Sequence, residues 1–363
     1  MLVRTTLDAA TDLYEYVLRT HWDGQKLVGP DPIGKIHWRV TRFVRSYLPF
    51  LPREDAYIYL QGQAYWIRSN IQLHRLTGDP VHMERVRQCA DYIVQAQPED
   101  GAWRHPPIWG RRGFVSTVEG VWASLGLMAA YRETAVPAYR EAAERWYGFQ
   151  VTRLGFQPTG NDGLAANYYA HSENKVPNVT TMLIWLTAEL ADRTGDDRFL
   201  QYTKQMCRFI IDSQMESGEL PYEVGARPHF MCYQYNSFQF LDLAFYYDLT
   251  GDEDMLPVLE RLARFLATGV TTEGSCRYNC HAVHPEINYW TGAIGAALLK
   301  AKRMQLGDYS ALSDRAYERL LGKQEVDGRF HFSERNYKLL RDRRSYPRYL
   351  SMILNHLLYR VET

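Results

Sequence analysis

Three groups of residues have the types and spacing to do chemistry. The first is Tyr222-Glu223, followed by Tyr235-Asn236. A phenol and a carboxylate can share acid–base work once burial or a nearby cation moves their pKa values. Glu119 and the stretch His171-Ser172-Glu173-Asn174, with Asn178 just after it, add further acid–base and hydrogen-bonding candidates. The second group is Arg343, Arg344 and Arg348, interleaved with Tyr346. A guanidinium clamps a carboxylate through two parallel hydrogen bonds. The third is Cys276, Cys280, His281 and His284, with Glu286 close by. Thiolates and imidazoles suit zinc.

The first two groups describe proton transfer on an anionic ring. Epimerisation or elimination at C5 of a uronate needs a base on one face and an acid on the other, with a cation on the carboxylate. Hydrolysis would instead place two carboxylates across a cleft, and Glu119, Glu173, Glu223 and Glu286 are available. The third group describes a zinc enzyme. No cofactor is the first expectation and zinc the alternative.

These residues need elements to position them, and an internal repeat supplies them. Thr77-Gly78-Asp79, Thr194-Gly195-Asp196, Thr250-Gly251-Asp252 and Leu306-Gly307-Asp308 form one series, and its last three Asp residues are 56 apart. A second series of turns follows some 20 residues later in each unit: Asp100-Gly101, Gly155-Phe156, Ser217-Gly218, Glu273-Gly274 and Asp327-Gly328. A fixed period of this length means stacked copies of one supersecondary unit. Between the turns apolar residues recur three and four apart, and Gly stops each run. Helix pairs are predicted over 57–97, 115–150, 176–214, 234–268 and 288–322. A sixth pair is split across the termini, 343–359 with 7–20. Joining them closes the ring. The reading is one all-α domain over 1–363, an (α/α)6 toroid, with an inserted segment at about 25–54.

In such a ring the first helix of each pair lines the centre, and the loop leading into it opens on a common mouth. Loops on a rigid scaffold carry function. The leading loops hold Tyr57, Tyr59, Trp103, His105, Tyr289 and Trp290, and the inner helices that follow add Gln63 and Asn236. These join Asn174, Asn178 and the arginines as expected substrate-binding residues. The 26 tyrosines against 14 phenylalanines agree, since a phenol offers a flat apolar face and a polar tip. A saccharide fits such a cleft.

Three resemblances bear on this. Leu60-Gln61-Gly62-Gln63-Ala64 running into Thr77-Gly78-Asp79, and Leu220-Pro221-Tyr222-Glu223 followed by Tyr235-Asn236-Ser237-Phe238, resemble the helical domain of D-glucuronyl C5-epimerases and related six-hairpin sugar enzymes. That resemblance implies an epimerase-like carbohydrate enzyme. Gln97 to Trp103 is similar to the Gln-Trp motif of squalene-type cyclases, in which it ties one hairpin to the next. Cys280-His281 resembles the metal-binding pair of lanthionine-synthetase cyclases, which implies zinc. The expected function is thus an enzyme on a saccharide or uronic-acid-containing glycan, of epimerase, lyase or hydrolase type. A zinc-dependent toroid enzyme, a terpenoid cyclase-like protein and a non-catalytic glycan-binding toroid are the alternatives.

Composition narrows the partners. Lys plus Arg and Asp plus Glu are both 42, so no basic excess points to nucleic acid. No apolar run is long enough for a membrane span. Five cysteines at irregular spacing do not read as a disulfide framework, so free thiols in the cytoplasm are expected. The expected partner is a small-molecule or oligosaccharide substrate.

Overall fold

A computed structural model describes residues 5–29, 44, 47–48, 58–104, 114–225, 232–281, 286–336 and 340–361. Twelve α-helices of these residues are named here. The six inner ones are α2 (Leu60–Thr77), α4 (Thr117–Thr134), α6 (Pro177–Thr194), α8 (Cys232–Thr250), α10 (Asn288–Arg303) and α12 (Pro347–Val361). The six outer ones are α1 (Thr6–His21), α3 (Pro80–Gln95), α5 (Pro137–Phe149), α7 (Thr203–Ser213), α9 (Leu256–Ala267) and α11 (Ser310–Leu321). The inner helices are buried almost all round, whereas the outer ones keep a polar face in water. A helix that is apolar round most of its surface must be enclosed.

Each inner helix packs on the next, and α12 packs back on α2, which closes the ring. The N-terminal α1 lies against the C-terminal α12 and supplies the outer partner α12 would otherwise lack. Two small antiparallel hairpins were not anticipated. β1 (Phe156–Pro158) pairs with β2 (Leu164–Ala166), and β3 (Ser333–Asn336) with β4 (Leu340–Asp342). The second explains why the last helix begins at Pro347 rather than at 343: Leu340 to Asp342 is strand. Most of the inserted segment expected at about 25–54 lies outside the described residues.

The repeat turns have a physical cause. In the first series Gly78, Gly195 and Gly251 adopt left-handed backbone (φ 72°, 67° and 65°), the conformation that ends a helix at least cost in glycine. The Thr before each bonds back to the carbonyl four residues earlier, and Asp79, Asp196 and Asp252 accept from the backbone N–H two residues on. The second series welds neighbouring hairpins. Gln97 Nε2 donates to the Gly101 carbonyl in its own turn and to Ala142 on the next outer helix, both at 2.9 Å. Gln214 does the same with Gly218 and Val258. Gln324 does so with Gly328 and Ala9, so the same weld joins the C-terminal part of the chain to α1.

Gly101, Gly218, Gly274 and Gly328 of the second series leave no room for a side chain. At Gly218 φ is +90°, and a Cβ would stand 2.4 Å from the Arg261 carbonyl oxygen. Gly148, inside α5, has open space around its Cβ position. Gly218→Ala is expected to destabilise the protein by about 2–3 kcal/mol through left-handed strain plus the clash. Gly148→Ala is expected to be neutral or to stabilise by up to about 1 kcal/mol. Urea midpoints compare the two, and equal effects would contradict the weld.

Candidate active-site cleft

The six inner helices point their N-termini at one opening. Gln61, Val118, Asn178, Gln234 with Tyr235, Tyr289, and Arg348 with Tyr349 come from the first turns of α2, α4, α6, α8, α10 and α12 in that order, and all line one cleft of about 740 Å³. Tyr168 and Tyr222 from the leading loops complete the wall, and Trp122, Phe238, Met182 and Met352 form the apolar floor. Six helix N-termini bring their positive dipole ends to the same place, which favours negative charge there. Among the described lining residues there is one cation, Arg348, and no carboxylate or imidazole.

Aromatic packing sets the cleft's shape. Tyr289 and Tyr349 stack at 4.1 Å with planes 5° apart. The Arg348 guanidinium lies 3.8 Å from the Tyr59 ring centroid and 4.6 Å from that of Tyr349, and its Nη2 donates to the Tyr349 hydroxyl at 2.8 Å. Gly62 permits this, because a Cβ there would stand 3.2 Å from the Arg348 Cα. Tyr222 and Tyr235 pack with centroids 5.0 Å apart and planes tilted by 56°. Burial, and then the Glu223 carboxylate, push the Tyr222 phenol up. Burial and the neighbouring phenols push Tyr235 up against the opposing pull of Arg348. Both therefore keep their protons at neutral pH.

Two cleft-lining side chains each hold a buried acceptor with no donor among the described residues. The acceptors are Asn178 Oδ1 and Gln234 Oε1, in side chains 9% and 6% exposed. Gln234 spends its Nε2 on the Tyr289 hydroxyl at 3.0 Å, which fixes the direction of its free oxygen. A buried acceptor without a donor carries a desolvation cost that a ligand's hydroxyl would remove.

The other expected site residues divide clearly. Gln63 holds Leu27 from both sides, accepting from its N–H at 2.8 Å and donating to its carbonyl at 2.9 Å. Asn236 does the same for Leu220, at 2.7 and 3.0 Å, and thereby sets the loop that carries Tyr222. Trp103 is buried and donates to the Ile93 carbonyl. Glu119 is buried and accepts from the Leu60 N–H at 2.7 Å, fastening the start of α2. These four shape the frame, and none of them is among the cleft's lining residues. His171, Glu173 and Asn174 are exposed on the loop after β2 and line no described part of the cleft. Glu223 is half-buried beside Tyr222. Arg344 is buried against Asp342 in a two-pronged ion pair, and Arg343 is exposed over the Tyr47 ring. Tyr346 is buried at the start of α12, and Trp290 stacks on Tyr278 at 4.2 Å. Tyr57, His105 and His284 lie outside the described residues.

Of the expected metal ligands among the described residues, Cys280 and His281 come together, whereas Cys276 is buried with its backbone N–H donating to Glu286 at 3.1 Å. Glu286 in turn accepts from Lys323, Arg319 and Thr291, so it is a structural anchor and not a cleft acid. Burial pushes its carboxyl up, but Lys323 outweighs this and holds it below the usual range. The expectation of free thiols also needs correction: Cys232 and Cys280 form a disulfide, because the start of α8 and the loop before α10 meet. Cys89, Cys207 and Cys276 are free and buried. Cys232 escaped the sequence reading, whereas Gln61, Tyr168, Gln234 and Tyr349 stand in the segments leading into the inner helices without being singled out as site residues. The signal for Gln234, Gln61 and Tyr349 is their common place in the first turn of an inner helix.

A second, larger cavity opens at the other end of the ring and shares Trp122 and Phe238 with the cleft. Several of its polar groups are already paired, although the buried His356 Nδ1 has no partner among the described residues. Asn355 donates to Gln72, Arg75 pairs with Glu133, and the Asp242 carboxyl accepts from Thr181 at 3.0 Å. The cleft at the helix N-termini, with its unmet acceptors, is the better candidate.

No family model matches the sequence, and no curated protein does. Solved structures match over nearly its whole length. A sugar epimerase from a ruminal bacterium aligns with a TM-score of 0.74 at 11% identity, over 98% of each chain. The fold is the α/α toroid. A D-mannose isomerase gives a TM-score of 0.72 at 13% identity, over 98% of this chain and 97% of that one. A possible member of the GH105 family from Salmonella enterica serovar Paratyphi A gives 0.68 at 13%, over 98% and 93%. At these identities the toroid is what is shared. Among the described residues, no helix of the toroid is long and apolar enough to cross a membrane.

Proposed function

We propose that this toroid is a carbohydrate-active enzyme that transforms an anionic sugar in the cleft at its inner-helix N-termini. The observation that carries the reading is the donor and acceptor balance of that cleft. Arg348 and six helix dipoles favour a carboxylate, while Asn178 and Gln234 offer buried oxygens to hydroxyl groups. A ligand with both features and a flat apolar face for the tyrosine wall is a uronic acid. The matched structures support the substrate class, since they include a sugar epimerase, a D-mannose isomerase and a polysaccharide lyase.

The chemistry belongs to phenols. Tyr222 and Tyr235 hold their protons and lie side by side in the cleft wall, so they deliver a proton to the sugar as acids. Glu223, half-buried next to Tyr222 and just outside the cleft's lining residues, is the base we assign, reaching the sugar from the margin of the cleft. The absence of paired carboxylates among the described lining residues favours epimerisation or elimination over hydrolysis.

Calorimetric titration with uronate-ended oligosaccharides and their neutral counterparts tests the binding half. The anionic member should bind at least about ten-fold tighter at low salt, and the margin should shrink as salt rises. Equal affinities would overturn the reading. Asn178→Leu and Gln234→Leu should each weaken saccharide binding about ten-fold, the worth of one buried hydrogen bond.

A further inference from the structure

Four metal-binding side chains meet beside the cleft, in a combination that differs from the one the sequence suggests. Glu219, Cys232, Cys280 and His281 bring one ligand atom each to within 4.8 Å of one another. They come from three separate segments: the turn after α7, the first residue of α8, and the loop before α10. Glu219 and Cys232 are buried, and His281 is exposed at the rim. The Cys280 sulfur lies 3.5 Å from Glu219 Oε2, and His281 Nε2 lies 3.5 Å from Glu219 Oε1. The backbone N–H of Cys280 points at the Cys232 sulfur at 2.8 Å. Such a donor stabilises a thiolate. The Asn279 side chain accepts from the His281 N–H at 2.6 Å and so shapes the loop that presents both ligands.

We propose that the reduced protein binds one zinc ion through Cys232, Cys280, His281 and Glu219. Two thiolates, an imidazole and a carboxylate are a donor set that selects zinc over hard cations such as magnesium or calcium. Four protein ligands close the coordination shell, which marks a structural site. Its purpose follows from its neighbours in sequence. Glu219 precedes Tyr222 by three residues, Cys232 precedes Gln234 by two, and Cys280 follows Tyr278 by two. The ion would therefore fasten three segments, of which the first two carry the cleft residues Tyr222 and Gln234 and the third packs behind Trp290 through Tyr278. Cys276 has no part in it.

The structure joins Cys232 and Cys280 by a disulfide, so the metal form and the disulfide form exclude each other. A dithiol reductant passes two electrons and two protons to the disulfide, which opens to two thiols while the dithiol closes to its own disulfide. Zinc then displaces the two thiol protons to solvent and takes both sulfurs as thiolates. The reverse course, with an added disulfide as oxidant, releases zinc.

The test is zinc content by elemental mass spectrometry on the full chain, purified under a dithiol reductant from zinc-supplemented medium. About one zinc per chain is expected. Cys232→Ser and Cys280→Ser should remove it, and Cys276→Ser should keep it. Cobalt substituted for zinc should show the sulfur-to-metal charge-transfer absorption of two thiolates. His281→Ala, an exposed change that spares the core, should weaken zinc at least about ten-fold in competition with a chromophoric chelator. Should the cysteine variants fail to fold, that affinity decides alone. A reduced protein that takes up no added zinc overturns the proposal. So does undiminished affinity in His281→Ala, or zinc lost on Cys276→Ser.

Discussion

Arg348→Ala is expected to lower kcat/KM on the protein's sugar substrate by about 10² to 10³-fold, with little change in melting temperature. The guanidinium sits where α2, α10 and α12 converge, between the rings of Tyr59 and Tyr349 and on the cleft surface. It packs on the Tyr59 and Tyr349 rings and is half-buried, so shortening it empties little of the core. A substrate carboxylate, by contrast, would lose its one charged partner among the described lining residues. Arg348→Lys should recover only part of the activity, because an ammonium keeps the charge but loses the planar fork. Steady-state kinetics and thermal melts on the same preparations check both halves. An alanine variant with full activity would remove the anion anchor from the account.

Asp242→Asn carries the largest expected effect on stability. Asp242 lies in α8, 2% exposed, and burial lifts its carboxyl to about 8 against weaker opposing effects of Thr181 and Arg68. The folded pKa is above the unfolded one, so the folded state holds a proton that the unfolded state releases. The carboxyl is neutral in the unfolded as well as the folded chain below about pH 4, and stability is then greatest for this group. As pH rises from about 4 to 8 the unfolded chain gains by ionising. Stability falls by up to about 1.4 kcal/mol for each pH unit. The Asn side chain keeps the acceptor for Thr181 and cannot ionise. Between pH 5 and pH 8.5 the wild type should lose several kcal/mol more than the variant in urea unfolding, with about 4 kcal/mol as the ceiling. Parallel pH profiles would show that Asp242 is solvated.

How much of this was legible depends on where each residue's partner lies. The Thr-Gly-Asp turns were readable because their cause is local: a left-handed glycine and an Asp that caps the next helix two residues on. Ring closure was readable because an unpaired helix pattern stood at each end of the chain. Gln63 was misjudged because its partner, Leu27, is 36 residues away in a segment without periodic pattern. Asn236 was placed in the cleft for the same reason, when it holds the Tyr222 loop from behind. Arg343, Arg344 and Arg348 look equivalent in sequence. Only the β3–β4 hairpin separates them, consuming Arg344 in the pair with Asp342 and turning Arg343 outward. Cys232 and Cys280 are 48 apart and meet because consecutive hairpins place both at the same level of the ring. A repeat alignment would show that correspondence; a motif search would not.

The measurement that goes most directly to the central claim is a mass spectrum. A panel of uronate-containing oligosaccharides is incubated with the protein in heavy water and then returned to light water. Epimerisation would leave one carbon-bound deuterium, elimination an unsaturated product, and hydrolysis two shorter chains. The account predicts one of the first two for at least one member, and none of it with Arg348→Ala. A panel returned unaltered by the wild-type protein, with a member bound in the cleft, would contradict it and make the toroid a sugar-binding protein.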